Sequence, residues 1–196
     1  MKIRLLLQLW LLLLIFGFSA CRSASSDNKG AMAVADPLSA EERNAQPTTI
    51  FLVRHAEKDI SDPTNDDPGL TPAGEARAEA LRAELEGQQL AALYATKYTR
   101  TRQTLQPLAA AHQLEITTYV AYDFSGLKTR VLQDHKGKTV VVAGHSNTLL
   151  PILKAFGAKT DVAFISEQQY DYLFKVTVAP DGTATVETEH YGAAAQ

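Results

Sequence analysis

Three short segments of the sequence combine residue types that suit one kind of chemistry. Arg54-His55-Ala56-Glu57-Lys58, Arg100-Thr101-Arg102-Gln103-Thr104 and Gly144-His145-Ser146-Asn147 each lie just beyond an apolar run. Arginine presents fixed N–H donors that match phosphoryl oxygens, and it stays charged at every relevant pH. An unprotonated imidazole can attack phosphorus, and the phosphoramidate it forms is labile enough to be hydrolysed, so one difficult step becomes two. A second imidazole, kept cationic by the phosphate, can stabilise the equatorial oxygens as they gain charge. This set of residues points to phosphoryl chemistry on a small molecule.

For these groups to meet, the runs ahead of them must lie side by side. Thr49–Val53, Leu90–Ala95, Glu115–Val120 and Lys138–Ala143 read as strands, the first a short β-rich run of the kind buried in parallel sheets. Thr71 caps a helix with Pro72 at its first position; Ala76, Ala80, Leu81 and Leu85 share a face, and Gly87 stops it. Further helices are predicted over Thr99–Ala111 and Asn147–Phe156, the latter ended by Gly157 and bent in its first turns by Pro151. The segment between Tyr119 and Lys138 is short and carries no distinct signal. Tyr170–Ala179 and Thr183–His190 flank Pro180-Asp181-Gly182, a hairpin signature. The pattern predicts a three-layer α/β/α fold, with a mostly parallel central sheet and an antiparallel C-terminal hairpin at its edge. In such sheets ligands sit beyond the carboxyl ends of the strands. Topology alone then gathers both histidines and the arginines on one rim.

At these residues the sequence resembles the histidine phosphatase superfamily, also called the phosphoglycerate-mutase-like fold. Val53-Arg54-His55-Ala56-Glu57-Lys58 is similar to its Arg-His-Gly signature, with Ala56 where Gly is most common. Asp67-Pro68-Gly69-Leu70-Thr71-Pro72-Ala73-Gly74 resembles the Leu-Thr-x-x-Gly segment, Arg100-Thr101-Arg102-Gln103-Thr104 the Arg-Ala-x-Gln-Thr element, and Val142-Ala143-Gly144-His145-Ser146 the second-histidine strand. The four elements occur in family order between Thr49 and Ala158. The resemblance implies a histidine acid phosphatase-type phosphoric monoester hydrolase in which His55 is phosphorylated and Arg54, Arg100 and His145 complete the phosphate pocket. It also implies a general acid after the third strand, for which Asp123 is the nearest carboxylate and Glu57 the competitor. The short span Ala121–Gly137 leaves no room for the long helical insertion of sugar-acid mutases, so a phosphatase is expected and not a mutase.

Other readings compete for the same residues. Gly144-His145-Ser146-Asn147-Thr148 looks like most of a serine-hydrolase nucleophile elbow, with Asp171 and His190 following in the order such an enzyme needs. A noncatalytic module that only binds a phosphoryl ligand would keep the same pocket. Arg102, Lys58 and Lys97 read as rim charges, and His112, His135 and His190 as surface or structural residues. No metal-ligand spacing appears, and neither a metal nor a cofactor is expected.

The N-terminus reads as an address. Lys2 and Arg4 precede the apolar run Leu5–Ala20, with Ser19 and Ala20 directly before Cys21. The run is short for a spanning helix. It resembles a bacterial lipoprotein signal, which implies lipidation of Cys21 and a place in the cell envelope, at the periplasmic face or on the outer membrane. The chain then divides into a signal peptide over 1–20, a flexible tether over 21–47 with a possible short helix at Ser39–Asn44, and the phosphatase-like domain over 48–192. Cys21 is the single cysteine, so intrachain disulfides and Cys-rich metal sites are excluded. The net charge of −3 falls to about −5 without Lys2 and Arg4, which argues against nucleic-acid binding through bulk charge. The expected partners are a phosphorylated small molecule and, through the anchor alone, the membrane; the domain is expected to be monomeric.

Overall fold

Apolar side chains on both faces of a strand demand cover on both sides. The computed structural model, which describes residues 41 and 45–194, meets this demand with helices on each face of a six-stranded sheet of order β3-β2-β4-β1-β5-β6. The strands are β1 (Thr48–Arg54), β2 (Leu90–Ala95), β3 (Ile116–Thr118), β4 (Thr139–Gly144), β5 (Tyr172–Val178) and β6 (Ala184–His190); the helices are α1 (Pro72–Glu84), α2 (Thr99–His112), α3 (Phe124–Asp134) and α4 (Leu149–Phe156). The strands β3, β2, β4 and β1 run parallel, and β5 and β6 form the antiparallel hairpin. The leader-like segment, Cys21 and nearly all of the tether lie outside the described residues; of the helix expected at Ser39–Asn44 only Glu41 is described, and it is helical.

Alternation along the strands builds two cores. Ile50 and Leu52, with Val140 and Val142, pack with Leu127 and Val131 of α3 and Ile152, Leu153 and Phe156 of α4. Phe51 and Val53, with Val141 and Ala143, pack against Leu81 of α1, Leu85 just past it, and Leu105 and Leu108 of α2. Burial of each such large side chain contributes roughly 1.5–3 kcal/mol, which makes β1 and β4 the anchors of the sheet.

Four expectations need correction. Glu115–Val120 shrinks to the three residues of β3, an edge strand with Thr117 and Thr118 exposed. On α1 the buried face is Gly74, Arg77, Ala78 and Leu81, whereas Ala76 is exposed. An arginine on that face hides the helix period from a hydrophobicity count. Helix α3 fills the segment that carries no sequence signal; its buried stripe is only Leu127 and Val131, and Gly126 dilutes its first turn. Finally, α4 begins at Leu149 instead of Asn147, which puts Pro151 in the first turn. Backbone N–H groups there have no intrahelical partner, so proline is accommodated without disturbing the ladder.

Candidate active site

His55 is the first residue past β1, and its N–H donates to the Gly144 carbonyl at 3.0 Å. This bond extends the β1–β4 ladder by one step and sets His55 opposite the turn that carries His145. The two imidazole rings lie 5.4 Å apart, centroid to centroid. The turn is tight because Gly144 has no side chain: a Cβ there would meet Thr148 Oγ1 at 2.9 Å and the Tyr119 hydroxyl at 3.3 Å. Thr148 Oγ1 in turn accepts from the His145 N–H at 2.9 Å.

The first turn of α2 is clamped to the loop after β1. The Ala56 N–H donates to Thr104 Oγ1 at 2.9 Å, and the Thr104 hydroxyl donates to the Arg100 carbonyl at 2.8 Å. Gln103 Oε1 accepts from the Leu70 N–H at 2.8 Å. Asp67 accepts from both the N–H and the hydroxyl of Thr99, and its Oδ1 lies 3.8 Å from Arg100 Nη1. Gln103 and Thr104 thus act as connectors that hold Arg100 beside His55.

Hydrogen-bond bookkeeping assigns the proton on each imidazole. His55 Nδ1 is 2.8 Å from the Ala56 carbonyl, which can only accept, so Nδ1 carries the hydrogen and Nε2 keeps a lone pair. The Thr101 hydroxyl is directed at the carbonyls of Tyr98 (2.7 Å) and Thr96 (3.2 Å), so Thr96 donates to Thr101 across their 2.9 Å contact. Thr96 Oγ1 is then left to accept from His145 Nε2 at 3.0 Å. Burial first, then the charges of Arg54, His145 and Arg100, push His55 down to about 3, against the Ala56 bond that favours its cation. His145 is pushed to about 4 by burial, then Arg100 and Arg54, with Glu167 opposing. Both rings are neutral at pH 7 in the free protein, and a cationic His145 requires an anion in the pocket to offset the arginines.

Arg54 is 1% exposed. Its Nη1 donates to the carbonyls of Ser166 (2.9 Å) and Gln169 (3.1 Å), its Nη2 to Glu167 Oε2 (2.7 Å), and its guanidinium stacks 4.2 Å above the Tyr170 ring. Arg100 lies 4.4 Å from the centroid of Tyr98, whose ring meets His145 edge-on at 5.3 Å. The Nε–H groups of both arginines are buried without a partner. An unmet buried donor costs about 1–3 kcal/mol. An oxyanion between the arginines is the kind of ligand that removes that penalty.

The remaining candidates have partners of their own. Asp123 caps α3, its Oδ1 accepting from the Gly126 N–H at 2.9 Å. Glu57 is gripped by Arg77, whose Nε and Nη2 donate to its carboxylate at 2.8–3.0 Å. The Ser146 hydroxyl donates to Glu167. Asp171 and His190 do pair at 3.0 Å, but the His190 ring packs on Tyr172 at 4.8 Å. His135 bonds the Tyr94 hydroxyl at 2.9 Å, a structural contact. Arg102 reaches the Ile116 carbonyl at the exposed edge.

Sequence reasoning missed Thr96, Tyr98, Glu167 and Tyr170. The first two stand in the segment after β2 and were within reach of a rim argument. Glu167 and Tyr170 come from the irregular stretch before β5. Because β5 runs antiparallel, the start of that strand returns to the rim where β1 and β4 end. That placement is visible only once the strand order is known.

Residues 50–121, which include His55 and Arg100, match the family model of the histidine phosphatase superfamily, branch 1. The fold is that of the histidine phosphatases. YhfR from Bacillus stearothermophilus superposes with a TM-score of 0.59 at 18% identity, covering 74% of this chain and 98% of that one. The protein histidine phosphatase SixA, complexed with tungstate, gives 0.56 at 18% identity over 72% of this chain and 96% of that one. A phosphoglycerate mutase from Bacillus anthracis gives 0.55 at 12% identity over 76% and 95%. No curated protein matches the sequence. At such identities the likeness extends to the histidine phosphatase fold, and the chemistry has to be argued from the pocket.

Proposed function

We propose that the protein is a phosphatase that hydrolyses a phosphomonoester, or another phosphoryl compound, through a phosphohistidine at His55. The observation that carries this reading is the Nε2 lone pair of His55, presented by the Nδ1–H bond to Ala56 beside two arginines with unmatched N–H donors. Nε2 attacks phosphorus as the bond from phosphorus to the leaving group breaks. Arg54 and Arg100 hold the equatorial oxygens, and the phosphoryl charge draws a proton onto His145, which then stabilises the transferring group. Water attacks the phosphohistidine, the N–P bond breaks, and phosphate leaves with His55 restored. Helix α3 and its flanking turns are the whole connection between β3 and β4. That compact span supports release of the phosphoryl group to water over its return to a retained substrate.

Ser146 does not favour the hydrolase alternative, since its hydroxyl donates to a carboxylate and not to a histidine. The leader-like segment and Cys21 support an acylated, envelope-anchored location for the domain.

Rapid-quench trapping tests the mechanism. Acid-labile, base-stable phosphate is expected on the wild-type protein and absent from His55→Ala. Turnover that persists in His55→Ala, or a phosphoryl group on another residue, overturns the reading, and binding without turnover would leave a ligand-binding module.

A further inference from the structure

Glu167 is placed where no carboxylate was expected. Its Oε2 accepts from Arg54 Nη2 at 2.7 Å and its Oε1 from the Ser146 hydroxyl. It therefore bridges the residue before one histidine and the residue after the other. Its side chain is 67% exposed, on the stretch whose Ser166 and Gln169 carbonyls wrap Arg54.

The other carboxylates near the rim are committed. Glu57 is locked by Arg77, Asp67 by both donors of Thr99, Asp123 by the first turn of α3, and Asp171 by His190. Glu167 instead rests on the guanidinium that the phosphoryl group is read to occupy. Resting on this phosphatase reading, we propose that Glu167 is the general acid and base of the reaction, displaced from Arg54 by the incoming phosphoryl group and so brought to the leaving oxygen.

The exchange of neighbours changes its acidity. In the free protein the Ser146 bond comes first and the charges of Arg54 and Lys58 follow in holding the carboxyl below its usual range. Once the phosphoryl anion takes Arg54, the carboxylate loses that guanidinium and faces negative charge, with Lys58 and His145 as the remaining titratable neighbours. It then takes up a proton from solvent. In the first step that proton passes to the leaving oxygen as the P–O bond breaks and the Nε2–P bond forms. In the second step the carboxylate removes a proton from the attacking water as the new O–P bond forms and Nε2–P breaks. An exposed side chain on an irregular segment has the freedom both positions require.

The test is leaving-group dependence in the full chain. Against glycerol 2-phosphate, a poor alkoxide leaving group, Glu167→Gln is expected to lower kcat/KM by roughly 10²–10⁴, while p-nitrophenyl phosphate changes by less than about tenfold. Glu167→Asp should recover part of the loss. Thermal melts of both variants confirm that the fold is kept. An equal loss on both substrates, no change on either, or a gain on both, as for a mere anionic plug, overturns the assignment, as does a selective loss in Asp123→Asn. If wild type and His55→Ala alike release no phosphate from either substrate, the phosphatase reading falls and Glu167 with it.

Discussion

At the residue scale, burial does more than position His55 and His145: it keeps both rings neutral. With His55 pushed to about 3, the proposed nucleophile is already a neutral imidazole across the ordinary pH range. The kcat/KM for p-nitrophenyl phosphate, corrected for ionisation of the substrate itself, should therefore show no loss between pH 7 and pH 5 that titrates with a histidine near 6.5. A loss with that pKa in the free protein would show that His55 is not neutral. The same depression affects stability, with a definite sign. Unfolded histidine binds a proton below about 6.5, whereas folded His55 and His145 do so only near 3 and 4. The unfolded state then holds more protons in that window, so stability falls as pH drops from about 6.5 toward the folded values. Each ring adds at most about 1.4 kcal/mol per pH unit to the slope. Melting temperatures of wild type, His55→Ala and His145→Gln between pH 7 and pH 5 check this: the slope should flatten in both variants.

At the scale of elements, α1 braces the loop after β1, which carries His55. Arg77, 4% exposed, donates to Glu57 and to the Tyr191 and Ala193 carbonyls, so it ties the loop after β1 to the end of the chain. Glu57→Ala leaves that buried guanidinium without its counter-ion and should lower stability by about 3 kcal/mol, read as the midpoint of denaturant unfolding. Gly74 packs against the same loop, where a Cβ would sit 2.3 Å from the Glu57 carbonyl. Gly74→Ala must push α1 away and should destabilise by about 1–3 kcal/mol. Much of this scale was legible in the sequence. Strands β1, β2 and β4 announce themselves as apolar runs, and Thr71-Pro72 marks the start of α1 through its cap and first-turn proline. Arg54, His55, Arg100 and His145 could be placed on one rim because strand ends are local features. Helix α3 was not legible, because a helix needs only Leu127 and Val131 on its buried side when one face of a short segment meets the core. Glu167 and Tyr170 were not legible either. They reach the pocket through an arginine more than a hundred positions away, and no local pattern records that contact.

At the scale of the molecule, the proposed pocket relies on arginine and imidazole charge, so EDTA should leave turnover unchanged; loss of activity restored by a divalent ion would count against the mechanism. Intact-mass analysis of membrane extracts should find a chain starting at an acylated Cys21, and an unmodified thiol would remove the anchor from the proposal. The sheet order has a different bearing, on how the molecule comes into being. Strand β1 is made first, yet its two neighbours are β4 and β5, so Thr48 waits for Val178 and Arg54 for Gly144. The Ser166 and Gln169 carbonyls that fix Arg54 follow Gly144 by more than twenty residues, and the Tyr191 and Ala193 carbonyls that fix Arg77 arrive after Val178. Pairings so distant along the chain must be formed against a large loss of chain freedom, which slows folding. A nascent polypeptide carrying His55 consequently cannot assemble the surroundings of that histidine until nearly all of its length is free.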